Sequence, residues 1–442
     1  MGRVRWFVSY SASTGLCLCA YWNYHEGLMP AVRRRSIGRM APDRGDDKIS
    51  ISNVRCGVNV RRPGNCFGEW FGGMRDLRLD FFRGLALYMV VLDHAGNNPL
   101  NYLTYQRIGF SDAAEIFIFV SGITCGLVYS SRLDRGGWGI TLRSLCARAG
   151  KIYVYYASSS TAAILLAAAA TAVWGSRIQS PDFGGIIRLS DVHTDIWLAI
   201  LMISPPATCD ILVFYVAMTL VGVPILLAGF RSNPAMTLVA SAGIWLLAQI
   251  FAPYEVSFEG YWIALNPLAW QFLLAIGMFF GTNPRAFSAA NVPGPMLCGA
   301  WAVVAIAVLY KFLVSVIAPH FGLDLQWMTL SHSTLIAMKM NLSIFRLIHF
   351  LSVALLVTRY IGPGSKLIRW PGFALVIQTG ARPLELYSLS IVLSVLANIF
   401  VRVYRPSIES TLLLDLLVFA LMGLTAASLC RAPAMAGWWQ RR

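Results

Sequence analysis

The stretch Arg75-Asp76-Leu77-Arg78-Leu79-Asp80-Phe81-Phe82-Arg83-Gly84 leads into an apolar segment that ends Asp93-His94-Ala95-Gly96-Asn97-Asn98. Arg83 and His94 stand eleven steps apart, which at 3.6 residues per turn is almost three whole turns of helix and a rise of about 16 Å. The two side chains therefore share one helix face at different depths. An arginine offers a planar fork that suits a phosphate or pyrophosphate. A histidine, with its near-neutral titration, suits a general base. An isolated histidine at a helix end usually does no more than cap it, and a terminal arginine often reaches for lipid headgroups. Asp80, Arg83 and His94 on one face weigh against that plainer reading.

A second segment opens Gly109-Phe110-Ser111-Asp112-Ala113-Ala114-Glu115 and continues Ile116-Phe117-Ile118-Phe119-Val120-Ser121-Gly122. A short connection joins it to the first, so Asp112 and Glu115 begin at about the depth of His94. Asp112 is placed where a carboxylate complements a helix start. Glu115 lies one turn deeper and needs a partner; His94 is the nearest candidate in sequence. His94 is thus read as a base whose imidazole is oriented by Glu115 or Asp93. Gly122 and Gly126, four apart, form a small-residue stripe suited to close helix packing.

These residues sit in a chain built for lipid. Of 442 residues, 57% are hydrophobic and only 13% are charged, against roughly a quarter charged in a soluble chain. The apolar residues fall in blocks close to the roughly 20 residues that a helix needs to cross a bilayer. The fold class is therefore all-α, a polytopic integral membrane protein. About ten spans are expected, at 80–96, 111–131, 150–174, 210–229, 235–252, 266–281, 296–317, 343–361, 384–404 and 409–430.

The net charge of +15 does not point to nucleic acid, because residues 1–75 hold twelve Lys/Arg against five Asp/Glu and most of the remaining excess lies in short connections. Such an excess marks the cytoplasmic side. The loop from Arg132 to Lys151, with five basic residues, is expected there, and alternation then makes both termini cytoplasmic. Residues 1–73 are Arg- and Gly-rich without a long apolar run and read as a mostly unstructured extension. Met74, just before the first organised element, is a candidate for the true start. Residues 74–431 form the membrane domain and 432–442 a cytoplasmic tail. Nine cysteines show no zinc spacing and no disulfide framework, so no metal is expected.

The run from Arg75 to Arg132 resembles the OpgC family, which belongs with membrane acyltransferases of the acyltransferase type 3 superfamily. The resemblance rests on Arg-Asp-Leu-Arg-Leu-Asp-Phe-Phe-Arg-Gly, on Asp93-His94, on Gly109 to Glu115 followed by Ser121-Gly122, and on the ten residues between Arg83 and His94. Echoes follow at Arg148 to Tyr153, Asp210-Ile211-Leu212, Asn266 to Gln271, and Lys339 through Asn341-Leu342-Ser343 to Arg346 and His349-Phe350. The segment Gly380 to Glu385 departs from the pattern, having lost polar residues before its Leu-Glu, and residues 1–73 have no counterpart.

The resemblance implies transfer of an acyl group, succinyl in the named activity, from a cytoplasmic thioester donor to glucan hydroxyls in the periplasm of a bacterium, across its inner membrane. No cofactor is permanently bound on this reading; acyl-CoA, succinyl-CoA first, is the co-substrate, and the partners are that donor, a glucan or other glycan, and membrane lipid. Arg83, Arg143, Arg148 and Lys151 would anchor the donor. Ser111, Asp112, Asn97 and Asn98, with the aromatic residues Tyr102, Tyr105, Tyr254, Tyr261, Trp262, Trp270 and Trp327, would meet acyl group or acceptor. Many of those aromatics suit equally the interfacial belt of any membrane protein.

Arg346 and His349, three apart and hence on one helix face, make a second polar cluster. A buried arginine needs an anion. It is either Glu115, in a pair that only ties two spans together, or the free carboxylate of a succinyl group. A secondary transporter would also place Asp, Glu, Arg and His inside the membrane, but no repeat mirrors the charged pairs of the first two segments.

Overall fold

The computed structural model describes residues 5–11, 15–21, 76–95, 98–175, 191–206, 208–251, 257–258, 261–262, 265–283, 292–317, 320–321, 339–362 and 364–431. Met74, Asn97, Tyr254 and Trp327 lie outside them, as do residues 432–442. The chain separates into two units, Met1–Arg62 and Pro63–Arg442. In the first, strands β1 (Arg5–Ser11) and β2 (Gly15–Tyr21) pair antiparallel in register Arg5 to Tyr21. A hairpin thus stands within the extension that composition alone reads as mostly unstructured.

The second unit is helical. In chain order it runs α1 (Leu77–His94), α2 (Tyr105–Ile108), α3 (Ala113–Trp174), α4 (Val192–Ile200), α5 (Asp210–Ala217), α6 (Val223–Ser232), α7 (Pro234–Phe251), α8 (Pro267–Thr282), α9 (Gly294–Phe312), α10 (Ile344–Tyr360), α11 (Ala374–Ala381), α12 (Pro383–Tyr404) and α13 (Ile408–Arg431). A five-residue π-helical turn, Met218–Gly222, joins α5 to α6 into one rod. Two-residue strands at Ser257–Phe258 and Tyr261–Trp262 pair between α7 and α8.

Among the described residues, six helical stretches are long and apolar enough to cross a membrane: α3, the α5–α6 rod, α7, α9, α12 and α13. The chain is thus an all-α membrane protein by its described spans, and the expected count of about ten is not reached on those criteria. Helix α1 carries Arg78, Asp80, Arg83 and Asp93 within eighteen residues, and α8 and α10 have sixteen and seventeen residues.

The stretch from Arg132 to Lys151, expected as a loop, is helical on both sides of a kink inside α3. The chain breaks only at Gly137, whose φ of 69° lies in the region where a side chain is disfavoured. Tyr129 and Leu133 before the break share one core with Leu145 and Ile152 after it, and Arg148 comes within electrostatic range of Arg83, Cys125 and Tyr129. The two arms of α3 therefore fold back on each other about this glycine. Thr141, Leu145, Ala149 and Ile152, at steps of four, four and three, are all buried. That spacing is one stripe of an amphipathic helix.

Two glycine contacts set the closest helix approaches. Gly122 and Gly126 on α3 meet Gly277 and Gly281 on α8, each where a Cβ would collide with backbone of the other helix. The reciprocal stripe lets the two backbones touch, as membrane helices do when no hydrophobic effect drives them together. On α1, Gly84 abuts the Val376 carbonyl of α11, and Gly380 of α11 abuts the Asp80 carbonyl. These contacts fix α1 and α3, the helices that carry the sequence motifs.

Candidate active site

Helix α1 starts at Asp76, whose carboxylate accepts from the Arg78 backbone N–H at 3.0 Å and holds the Arg78 guanidinium at 2.6 Å. It ends at His94. The imidazole Nδ1 lies 2.7 Å from the Val90 carbonyl, one turn back on the same helix. A carbonyl only accepts, so Nδ1 is the donor. In the neutral ring Nε2 then holds a free lone pair. The orienting partner is therefore backbone and neither expected carboxylate. Glu115 is engaged elsewhere, and the hydrogen-bonding partners of Asp93 are Asn101, at 3.5 Å, and Thr104. Asn398 of α12 donates to the His94 carbonyl and, at 2.9 Å, to the Ser394 carbonyl, fixing the end of α1 from outside.

His94 lines a cavity of about 120 Å³ together with Asp93, Gln106, Asp112, Thr208, Asp210 and Lys339, completed by apolar side chains such as Phe117 and Ile211. Asp112 enters it as the N-cap of α3. Its Oδ1 accepts from the Ala114 N–H at 2.8 Å, while Glu115 Oε2 accepts from the Asp112 N–H at 2.9 Å. This reciprocal capping box explains why both carboxylates occur at that spacing.

Each carboxylate has an oxygen left for a cation. Lys339 Nζ lies 2.9 Å from Asp112 Oδ2, and Arg346 Nη2 reaches the same oxygen at 3.1 Å and Glu115 Oε1 at 2.6 Å. Lys339, Asp112, Arg346 and Glu115 thus alternate in sign along one chain. Four charges close to mutual neutrality are what a low-dielectric interior tolerates.

Lys339 and Arg346 are held in place by a turn, 339–343, that α7 and α8 pin. Trp270 Nε1 donates to the carbonyls of Lys339 and Met340 at 3.1 and 3.0 Å, Trp245 Nε1 to Leu342 at 2.9 Å, and Gln249 Nε2 to Asn341 at 2.6 Å. Asn266 binds the Asn341 side chain at 2.9 Å and its own N–H bonds the Met340 carbonyl at 2.9 Å. Trp270 is 0% exposed. It is a brace and not the sugar platform expected of it. Leu342 pays in backbone strain for this turn, with φ of 45°.

On the next face of α10, His349 Nδ1 meets Ser111 Oγ at 2.5 Å, and Ser111 Oγ donates to the Tyr105 hydroxyl at 3.0 Å. Gly109 packs against the His349 ring so closely that a Cβ would overlap it. Ser111 and His349 therefore lock the connection between α1 and α3, and neither lines the cavity. Asn98 is likewise consumed: its side chain caps the following 3-10 turn through the Leu100 N–H at 2.8 Å and donates to Asp415 of α13 at 2.7 Å. Tyr102 is exposed.

At the other end of α1, Arg83 donates through Nη2 to the Val120 carbonyl at 3.2 Å and to the Thr124 hydroxyl. Arg148 stands near it. Lys151, grouped with them in the sequence, pairs instead with Glu385 at 2.8 Å on an exposed face. The structure thus brings together His94, Asp93 and Asp112 at one end and Arg83 with Arg148 at the other. Among the described residues no group of three or more His, Cys, Asp or Glu is placed to hold a metal ion.

Lys339, Asp210, Thr208 and Gln106 complete the cavity without a role in the sequence reading. Lys339 and Asp210 stand in stretches that carry the resemblance, and each is a charge beside an apolar run, which was the available signal.

The described spans make this a helical membrane protein, and α1 ends at a polar cavity lined by Asp93, His94, Asp112, Asp210 and Lys339 while carrying Arg83 three turns back. The chain belongs to the OpgC family: the model of that family, described as OpgC protein, matches residues 75–433. Membership implies an acyltransferase. No curated protein matches the chain, and no solved structure does.

Proposed function

We propose that the protein is an integral membrane O-acyltransferase that moves a succinyl group from a cytoplasmic acyl-CoA-type donor to hydroxyls of periplasmic glucans. The inner membrane of a bacterium, with both termini cytoplasmic, is the setting this reading requires. The observation that carries it is His94: a ring fixed through Nδ1, with a free Nε2, on a polar cavity three helical turns from Arg83. Arg83 and Arg148 hold the phosphates of the donor. His94 Nε2 takes the proton of a sugar hydroxyl as its oxygen attacks the thioester carbonyl. The carbon–sulfur bond then breaks, and the thiolate leaves with the proton that the imidazolium returns. A sugar hydroxyl is too weak an acid to attack unaided, and a positioned base contributes on the order of a hundred- to ten-thousand-fold.

The test is mass spectrometry of periplasmic glucans from cells with the gene, without it, and with His94→Ala in its place. Succinyl esters present only with the wild-type gene support the reading. Esters that persist in the His94→Ala strain at equal protein abundance refute it.

A further inference from the structure

Two polar side chains on the cavity are left without a strong hydrogen-bond partner. Asp210, the first residue of α5, is 9% exposed, and its Oδ1 is buried without a hydrogen bond. Its charged neighbour is Lys339, whose ammonium is already committed to Asp112 at 2.9 Å. Two residues earlier, the Thr208 hydroxyl is buried with only the Cys209 thiol, a weak partner, beside it. The backbone there is fixed, because Tyr387 donates its hydroxyl proton to the Thr208 carbonyl at 2.6 Å. Nearly every buried polar group in a folded protein finds a partner. An orphan carboxyl oxygen and a weakly partnered hydroxyl on the cavity that His94 lines point to partners that a ligand supplies.

The chemistry of the two groups selects the ligand. A carboxyl oxygen accepts a hydrogen bond, and a threonine hydroxyl both accepts and donates. Adjacent hydroxyls of a sugar ring match that set. A phosphate or a free carboxylate does not, since it brings no hydrogen-bond donor for the Asp210 carboxyl oxygen and the cation on the cavity, Lys339, is taken by Asp112; the arginines suited to phosphate gather around Arg83, about 16 Å along α1 from His94. We infer that Asp210 and Thr208 form the subsite for the acceptor sugar, gripping hydroxyls next to the one that His94 deprotonates. The Asp210 carboxyl accepts a hydrogen bond and neither gains nor loses a proton in the reaction. This assignment rests on the acyl-transfer reading above.

The full-length protein in lipid nanodiscs, with succinyl-CoA and a β-glucan oligosaccharide, provides the test. Asp210→Ala and Thr208→Val each raise the acceptor KM, on the order of tenfold to a hundredfold for Asp210, and leave the dissociation constant for succinyl-CoA unchanged. Asp210→Asn, which keeps a carbonyl oxygen at the site, recovers part of the loss. If Asp210→Ala does not reach the membrane, Thr208→Val and Asp210→Asn decide. An unchanged acceptor KM in the variants that fold, or donor affinity falling in step with acceptor affinity, overturns the assignment. A wild-type protein that transfers no acyl group to the glucan overturns the parent reading and this one with it. Transfer with unaltered acceptor KM in the variants overturns this one alone.

Discussion

Glu115 presents one carboxylate oxygen, Oε1, to two nitrogens of Arg346, with Nε at 2.7 Å and Nη2 at 2.6 Å. The other oxygen is spent on the Asp112 backbone. Arg346 donates through Nε to Glu115, its Nη2 stands within ion-pair distance of both Glu115 and Asp112 without a well-formed hydrogen bond, and the residue does not line the cavity. This favours the tie between α3 and α10 over a reader of the acyl end. Arg346→Gln leaves Glu115 buried and unpaired, which costs about 3–5 kcal/mol. The expected result is a lower melting temperature and equal loss of transfer from succinyl and acetyl thioesters. Selective loss of succinyl transfer would restore the recognition role.

Removing the imidazole leaves the helix intact, since its Nδ1 bond closes within α1. His94→Ala should lower kcat on the order of a hundred- to ten-thousand-fold while donor affinity stays within about twofold of wild type. Stopped-flow turnover and equilibrium donor binding on the same preparation separate the two quantities. A kcat near normal would remove His94 from the proton path.

Arg83→Lys keeps the charge and loses the planar guanidinium whose Nη2 meets Thr124 and the Val120 carbonyl and whose fork, on the proposal, meets phosphate. Donor binding should weaken by about tenfold, the loss of one charge-assisted bond. Lys151→Ala should leave it unchanged, because that ammonium is engaged by Glu385. Calorimetric titration with acyl-CoA measures both.

The glycine stripes give a prediction about stability alone. Gly122→Ala and Gly277→Ala each drive a Cβ into the backbone of the facing helix, and overpacking of this kind costs about 1–3 kcal/mol. Gly139→Ala, where nothing lies within 4 Å, should be neutral. Thermal melting in detergent distinguishes them, and equal melting temperatures for all three would show that α3 and α8 are not held by this contact.

The spans were legible because apolar runs and helix length obey one rule. Where an expected run meets a single helix the ends agree to within a few residues, as at 384–404 against Pro383–Tyr404, whereas 111–131 and 150–174 both fall inside α3 and, among the described residues, only six stretches meet the length and apolarity of a span. Arg132 to Lys151 misled because its charges resemble a loop, although the stripe Thr141, Leu145, Ala149 and Ile152 was present. His94, Asp112, Glu115 and Arg346 stood out as charges beside or within apolar runs. Their partners did not, because Glu115 to Arg346 crosses 231 positions and Trp270 to Met340 crosses 70. Nothing local in Asn266 or Trp270 announces that they brace a turn elsewhere. Asn98 and Ser111 show the reverse: polar types near the motif, yet spent on caps and on the loop that joins two helices.

The acceptor for the His94 Nδ1 proton belongs to its own helix, four residues back. A histidine steered by a side chain on another element changes tautomer or tilts whenever the two elements part. Here ring and carbonyl travel as one rigid piece. Which nitrogen of the base is free is therefore set within α1 itself, whatever the packing of α3 and α5 around the cavity.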